Sequence, residues 1–199
     1  RDFMTPGILA QSVLFVAIFS GLALIWERDL GIIHKLFVSP TPRGALVLGK
    51  ALAAGVRSFS QVVIVYTLAV LLGVHINWQP LALLGVVAAV LVGAACFATL
   101  SLIIASLVRT RDRFMGRGQL LTMPLFCASN AIYPLAIMPR WLHVVARINP
   151  LSYVVDALRS LMIPGGQSAF GLGVDLTLLV LTTTMLVTIA ARIYPRVVT

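Results

Sequence analysis

Only six of the 199 residues are acidic, and no more than 11% of the side chains carry a charge of either sign. A soluble domain of this length devotes about a quarter of its residues to charge, so this composition cannot coat a water-facing surface. Cysteine is scarce as well. Cys96 and Cys127 both lie inside apolar runs, without C-x-x-C spacing, and are read as small interior residues rather than a metal or redox pair. No G-x-S-x-G occurs, and Ser129 and Asn130 have no base beside them in sequence. His34, His75 and His143 fall in connections or near the ends of apolar runs. No catalytic residue and no metal-ligand set is therefore expected, and an intramembrane enzyme, which needs polar groups meeting at depth, finds little support. Internal repeats are missing too, and Pro124, which interrupts one apolar run, has no counterpart in a second half. An ion channel or ion-coupled transporter would favour such repeats or acidic residues near the midplane. Both rivals remain as alternatives.

What the chain has in abundance is apolar length. It is 60% hydrophobic, with a mean hydropathy of +1.03. Stretches at about 8–26, 52–74, 81–107, 119–137 and 172–191 are long enough to cross a bilayer core of about 30 Å as helices. They lack the two-residue alternation of barrel strands, so the fold class is an all-α polytopic membrane protein with five expected transmembrane helices. The net charge of +9 does not point to nucleic acid, because the basic residues sit between apolar runs rather than along one soluble face. Arg28, Lys35, Arg43 and Lys50 occupy one connection, Arg109, Arg111, Arg113 and Arg117 another, and Arg192 and Arg196 the C-terminal end. With Arg57 near the same side, eleven basic residues are expected to be cytoplasmic and four, Arg1, Arg140, Arg147 and Arg159, on the opposite side. Residue 1 is then outside and the C-terminus inside, which implies a further helix before the first. Trp26, Trp78, Trp141 and Tyr194 fall near span ends, where aromatic rings prefer the headgroup level. Gly85, Ala89 and Gly93 recur every four residues and offer one small face for close helix contact, within the chain rather than as a dimer seam.

Two segments are neither span nor simple turn. In 27–43, Leu30, Ile33, Leu36 and Phe37 keep helical rhythm, and Pro40 and Pro42 close it. The result is a short amphipathic helix that could lie on lipid or dock into a soluble partner. Just beyond, Gly44 to Lys50 satisfies G-x-x-x-x-G-K, yet Ala51 stands where a P-loop needs Ser or Thr, and no strand precedes it, so ATP binding is not expected here. In 138–166, Asn149 is a suitable N-cap and Pro150 suits the first helical position. Leu151, Val154, Val155, Leu158, Leu161 and Met162 form an apolar face, with Ser152, Asp156, Arg159 and Ser160 opposite. This predicts an amphipathic helical hairpin on the outer membrane surface, with Asp156 and Arg159 placed to pair. Asp175 lies near the outer end of the last span and is expected to reach the surface.

The two segments together resemble the permease subunit of ABC-2 exporters, in particular the daunorubicin-resistance-like branch. The matching stretches are Glu27 to Gly31, Ser39 to Arg43, Gly49-Lys50, Ser129 to Pro134, Met138-Pro139 and Asn149 to Arg159, and the resemblance covers nearly the whole chain. It implies a six-helix fold whose first helix is missing here, a cytoplasmic coupling helix at 27–43 and extracytoplasmic helices at 138–166. By the same resemblance, Glu27, Arg28, Asp29, Gly31, His34 and Lys35 contact a separate ATPase subunit, although Gly31-Ile32 and His34 depart from the Gly-Thr-acidic pattern common in the class. Asn149, Pro150, Tyr153, Asp156 and Arg159 would belong to an outer-face helix over the translocation path. The resemblance further implies export from a bacterial inner membrane, a second permease copy as homodimer or heterodimer, contact with membrane lipid, and ATP and Mg bound by the partner subunit rather than by this chain.

Overall fold

The computed structural model describes residues 4–32, 42–108, 110–131, 139–166 and 168–193. Those residues fold as helices joined by turns, with no strand among them. In chain order the elements are α1 (Met4–Asp29), α2 (Arg43–Leu71), α3 (Pro80–Leu107), α4 (Arg111–Cys127), α5 (Arg140–Ile148), α6 (Pro150–Met162) and α7 (Leu172–Ile193). Among the described residues, four helices, α1, α2, α3 and α7, are long and apolar enough to cross a membrane. The fifth expected span, 119–137, is described only as far as residue 131: its first part lies in α4, and 132–138 fall outside the described residues.

Two helices begin earlier than the apolar runs suggest. α2 starts at Arg43 rather than near 52, because Pro42, extended at φ −63° and ψ 136°, accepts the first helical bond from the Ala45 amide at 2.9 Å. The alanine and leucines that follow propagate it. The G-x-x-x-x-G-K stretch is thus helix, with no loop to cradle a phosphate. α4 starts at Arg111 rather than near 119: Phe114 turns inward and is buried, while Arg111 and Arg113 stay exposed, so polar residues prolong the helix on one side only.

α3 is the central rod. It packs against α1, α2, α7 and α6, and within its 28 residues carries no charged side chain. Close approach explains its composition. A Cβ on Gly93 would lie 2.9 Å from Val154 of α6, and one on Gly85 3.0 Å from the methyls of Leu161, while Ala89 between them is fully buried. The small-residue face therefore seats α6 within the same chain. On the other side, a Cβ on Gly21 of α1 would sit 2.3 Å from Oγ of Ser101, whose hydroxyl donates to the Ile18 carbonyl across the α1–α3 crossing. Such interhelical bonds are worth about 0.6 kcal/mol on average in bilayers.

The hairpin of α5 and α6 differs from the surface-lying arrangement that its two-faced pattern predicts. α5 keeps an exposed side with Trp141, Val144 and Ile148. α6 is buried on both sides: Ser152 and Asp156 are as enclosed as Leu151 and Val154. The reason is cover. Residues 168–171 and the first turn of α7 lie over the polar side, and the end of α4 meets it near Asn130.

Candidate functional sites at the two ends of the bundle

At one end, α1, α2, α3 and α4 converge, and this basic end is tied by charged side chains. Glu27 pairs with Lys50 of α2 through a short contact of carboxylate and ammonium. Arg28 donates from Nη1 to the Val108 carbonyl at the end of α3, 3.2 Å away. Asp29 faces Arg111 of α4 at 3.7 Å, and the Arg111 guanidinium also stacks 5.1 Å over the Trp26 ring. Gly31 then closes α1 in the left-handed region at φ 70°, its amide donating to the Arg28 carbonyl at 3.0 Å; a side chain there would be strained. On either side of it Leu30 and Ile32 are exposed. Of the six residues assigned to this segment from sequence, Glu27 and Arg28 thus bond inward, Asp29 and Gly31 stand nearer the surface, and His34 and Lys35 lie outside the described residues. Lys50, Arg111 and the Val108 carbonyl complete the network. Sequence shows that Lys50 and Arg111 are opposite in sign to Glu27 and Asp29, but not which of them meet.

At the other end, Asn149 and Pro150 set α6. The Asn149 Oδ1 accepts from the Leu151 amide at 3.0 Å, the expected cap, and its Nδ2 donates to the Leu125 carbonyl at 2.6 Å, satisfying an acceptor in the last turn of α4. Tyr153 donates its hydroxyl to the Arg147 carbonyl and packs against Phe170 with ring centroids 5.2 Å apart. Burial, followed by the Asp175 carboxylate, pushes its phenol above the ordinary value, while Arg147 opposes them. Arg159 does not form an exposed pair with Asp156. It donates from Nη2 to the Asn130 carbonyl at 2.9 Å, and its burial draws it down against the stabilising charge of Asp156.

The Asp156 Oδ2 accepts from Oγ of Ser168 at 2.9 Å and from the Phe170 amide at 3.2 Å. Ser168 Oγ is also 2.8 Å from Oδ2 of Asp175, which is fully buried rather than at the surface. Sequence reasoning missed Ser168 altogether, since nothing local marks a loop serine as the meeting point of two helices.

Between the ends, apolar clefts open on the helix sides. One of about 540 Å³ lies between α2 and α3 and includes Phe59, Tyr66, Trp78 and Val87 in its wall. No charged residue lines it. Among the described residues no group of three His, Cys, Asp or Glu side chains is placed to hold a metal ion.

Comparison with known proteins places this arrangement in context. A family model described as ABC-2 type transporter matches residues 1–163. A protein of Cyanophora paradoxa named as transport permease ycf38 is 30% identical over 165 residues, 80% of this chain and 55% of that one. Nodulation protein J of Rhizobium leguminosarum bv. viciae is 23% identical over 163 residues, 81% of this chain and 62% of that one. YbhR of Escherichia coli K12, by name a multidrug ABC transporter permease, is 26% identical over 160 residues, 80% of this chain and 43% of that one. The chain thus spans little more than half the length of the first of these relatives, and less than two thirds of the others.

Proposed function

The chain belongs to the ABC-2 type transporter family, a family of multi-pass membrane permeases, and from that premise we propose that it is the membrane-spanning subunit of an ATP-driven exporter. A separate ATPase subunit binds ATP and Mg and supplies the work, two permease copies complete the assembly, and the cargo is hydrophobic or amphiphilic: a drug, a lipid or a lipid-linked glycan. The daunorubicin-resistance-like branch is the nearest functional analogy. The relatives' names differ, one referring to nodulation and another to multidrug transport, so they do not single out a cargo. In this reading the membrane is a bacterial inner membrane, the basic end is cytoplasmic and the α6 end faces outward, in keeping with the positive-inside bias.

The observation that carries the proposal is the basic-end network. A permease without its own ATP site must receive work through contact. Here the end of α1 is tied by Glu27 to α2, by Arg28 to α3 and by Asp29 to α4, so a push on the segment after Gly31 reaches three helices at once. Glu27 and Arg28 would act as transmitters inside the permease, and the partner would press on the exposed surface around Asp29 and beyond. ATP binding would then favour one arrangement of the helices by its differential contacts.

The test is ATPase activity of the full-length protein purified with its soluble partner, wild type against a Glu27→Ala, Gly31→Pro double variant. Copurification with stimulated hydrolysis that the variant loses supports the role. Transport driven by a proton gradient, with no ATPase partner and the chain correctly folded, would overturn it in favour of an ion-coupled carrier.

A further inference from the structure

Asp156 and Asp175 are 1% and 0% exposed, come from different helices, and meet at one hydroxyl. Ser168 Oγ lies 2.9 Å from Asp156 and 2.8 Å from Asp175, and it accepts the Gly171 amide at 2.6 Å. A hydroxyl has a single proton to donate. It can bond one carboxylate; the second contact is favourable only if the other carboxyl brings its own proton. Both carboxyl groups are thus brought to one hydroxyl oxygen, an arrangement that two bare carboxylates resist.

A separate sign comes from the far side of Asp175. Its Oδ1 is enclosed and has no hydrogen-bond partner, and neither has the enclosed hydroxyl of Ser152, one turn before Asp156 on α6. A buried carboxylate oxygen without a donor is costly, whereas a carboxyl group that holds a proton tolerates the site. Charge balance agrees. From α6, Arg159 lies within the field of Asp156 and Tyr153 within that of Asp175. Arg147 of α5 acts on Tyr153, Asn130 brings only an amide, and α3 carries no charge. The α1 residues described at this end are uncharged, and His75, in the α2–α3 connection, is exposed. Among the described residues, one guanidinium against two carboxylates leaves a net negative charge in an enclosed place; one proton removes it.

We propose that Asp156 and Asp175 share a single exchangeable proton through Ser168, making a proton-sensitive latch between α6 and the first turn of α7. With the proton in place, Asp156 holds the 168–171 loop through Ser168 and the Phe170 amide, and Asp175 holds the same serine from α7. When the proton leaves to water, Ser168 still donates to one carboxylate, and the other repels it. The latch is therefore closed while the shared proton is held and opens when that proton is lost. It is independent of what the protein transports or what powers it.

The experiment is backbone hydrogen exchange at Phe170 and Gly171 in the full-length protein in lipid nanodiscs, corrected for intrinsic exchange. Protection should fall by about tenfold or more between about pH 5 and about pH 9 in the wild type, the scale of one ionisation coupled to opening. Asp175→Asn, neutral at every pH and equipped with N–H donors, should keep high protection with no pH dependence. A flat wild-type profile overturns the latch, as does an Asp175→Asn profile that falls like the wild type. Infrared difference spectra of the unmodified protein keep the idea falsifiable if the variant misfolds. A protonated-carboxyl stretch that is lost on raising the pH, and shifts in D2O, supports the shared proton; its absence at low pH overturns it.

Discussion

The two ends of this bundle solve opposite electrostatic problems. At the basic end, each carboxylate meets at least one cation and stays partly in water: Lys50 and Glu27 are 21% and 30% exposed, Arg111 and Asp29 about half. At the α6 end, two carboxyl groups share one serine with almost no exposure. Exposed ion pairs gain little Coulomb energy and can exchange partners, because water screens either arrangement. Enclosed polar groups have no such freedom, since each one that loses its partner stays unsatisfied. The basic end is accordingly suited to being rearranged by contact, and the α6 end to holding one geometry until its charge state changes.

The sharpest way to break the contrast is to force the α6 end apart. Gly93→Leu places a branched side chain where even a Cβ would lie 2.9 Å from Val154, and should destabilise the folded protein by about 3 kcal/mol, read as a lowered thermal midpoint in detergent. Asp156→Ala removes the acceptor of Ser168 and the Phe170 amide and should cost about 2–3 kcal/mol by the same assay. If it proves neutral, the enclosed network holds nothing and the comparison fails. Glu27→Ala at the basic end should change stability by no more than about 1 kcal/mol, yet abolish most of the partner-stimulated ATPase activity. A large stability loss with normal stimulation would reverse the roles of the two ends. The smallest effect is expected for Asp29→Asn: about 0.5 kcal/mol or less at low salt, vanishing at high salt, because its Arg111 partner at 3.7 Å is half exposed.

Much of this contrast was hidden in the sequence although the helices were not. Apolar runs reveal spans because lipid demands them, and Asn149-Pro150 announces the start of α6 because capping is local. Periodicity also identified the polar side of α6 as Ser152, Asp156, Arg159 and Ser160. It could not tell that the side is covered, since the cover comes from Ser168 to Gly171 and α7, elsewhere in the chain. The same limit applies at the basic end. Glu27 and Lys50 are 23 positions apart, and only the antiparallel return of α2 along α1 makes them neighbours. The early starts of α2 and α4 escaped for a different reason: their first turns are polar or glycine-containing, and hydropathy marks where lipid begins, not where the helix does.

The absence of any proline in the interior of α3 makes that helix a mechanical lever. Its only proline stands at the first position, and its 28 residues span about 42 Å. Arg28 grips the Val108 carbonyl just past one end, and the glycine face toward the other end carries α6. A rod of that length tilting by about 5° about one end displaces the other by about 3–4 Å, more than the diameter of a water molecule. A rotation that shifts the buried Phe97, near its middle, by only about 1–2 Å thus becomes, at its tip, a step of the size that admits or excludes solvent.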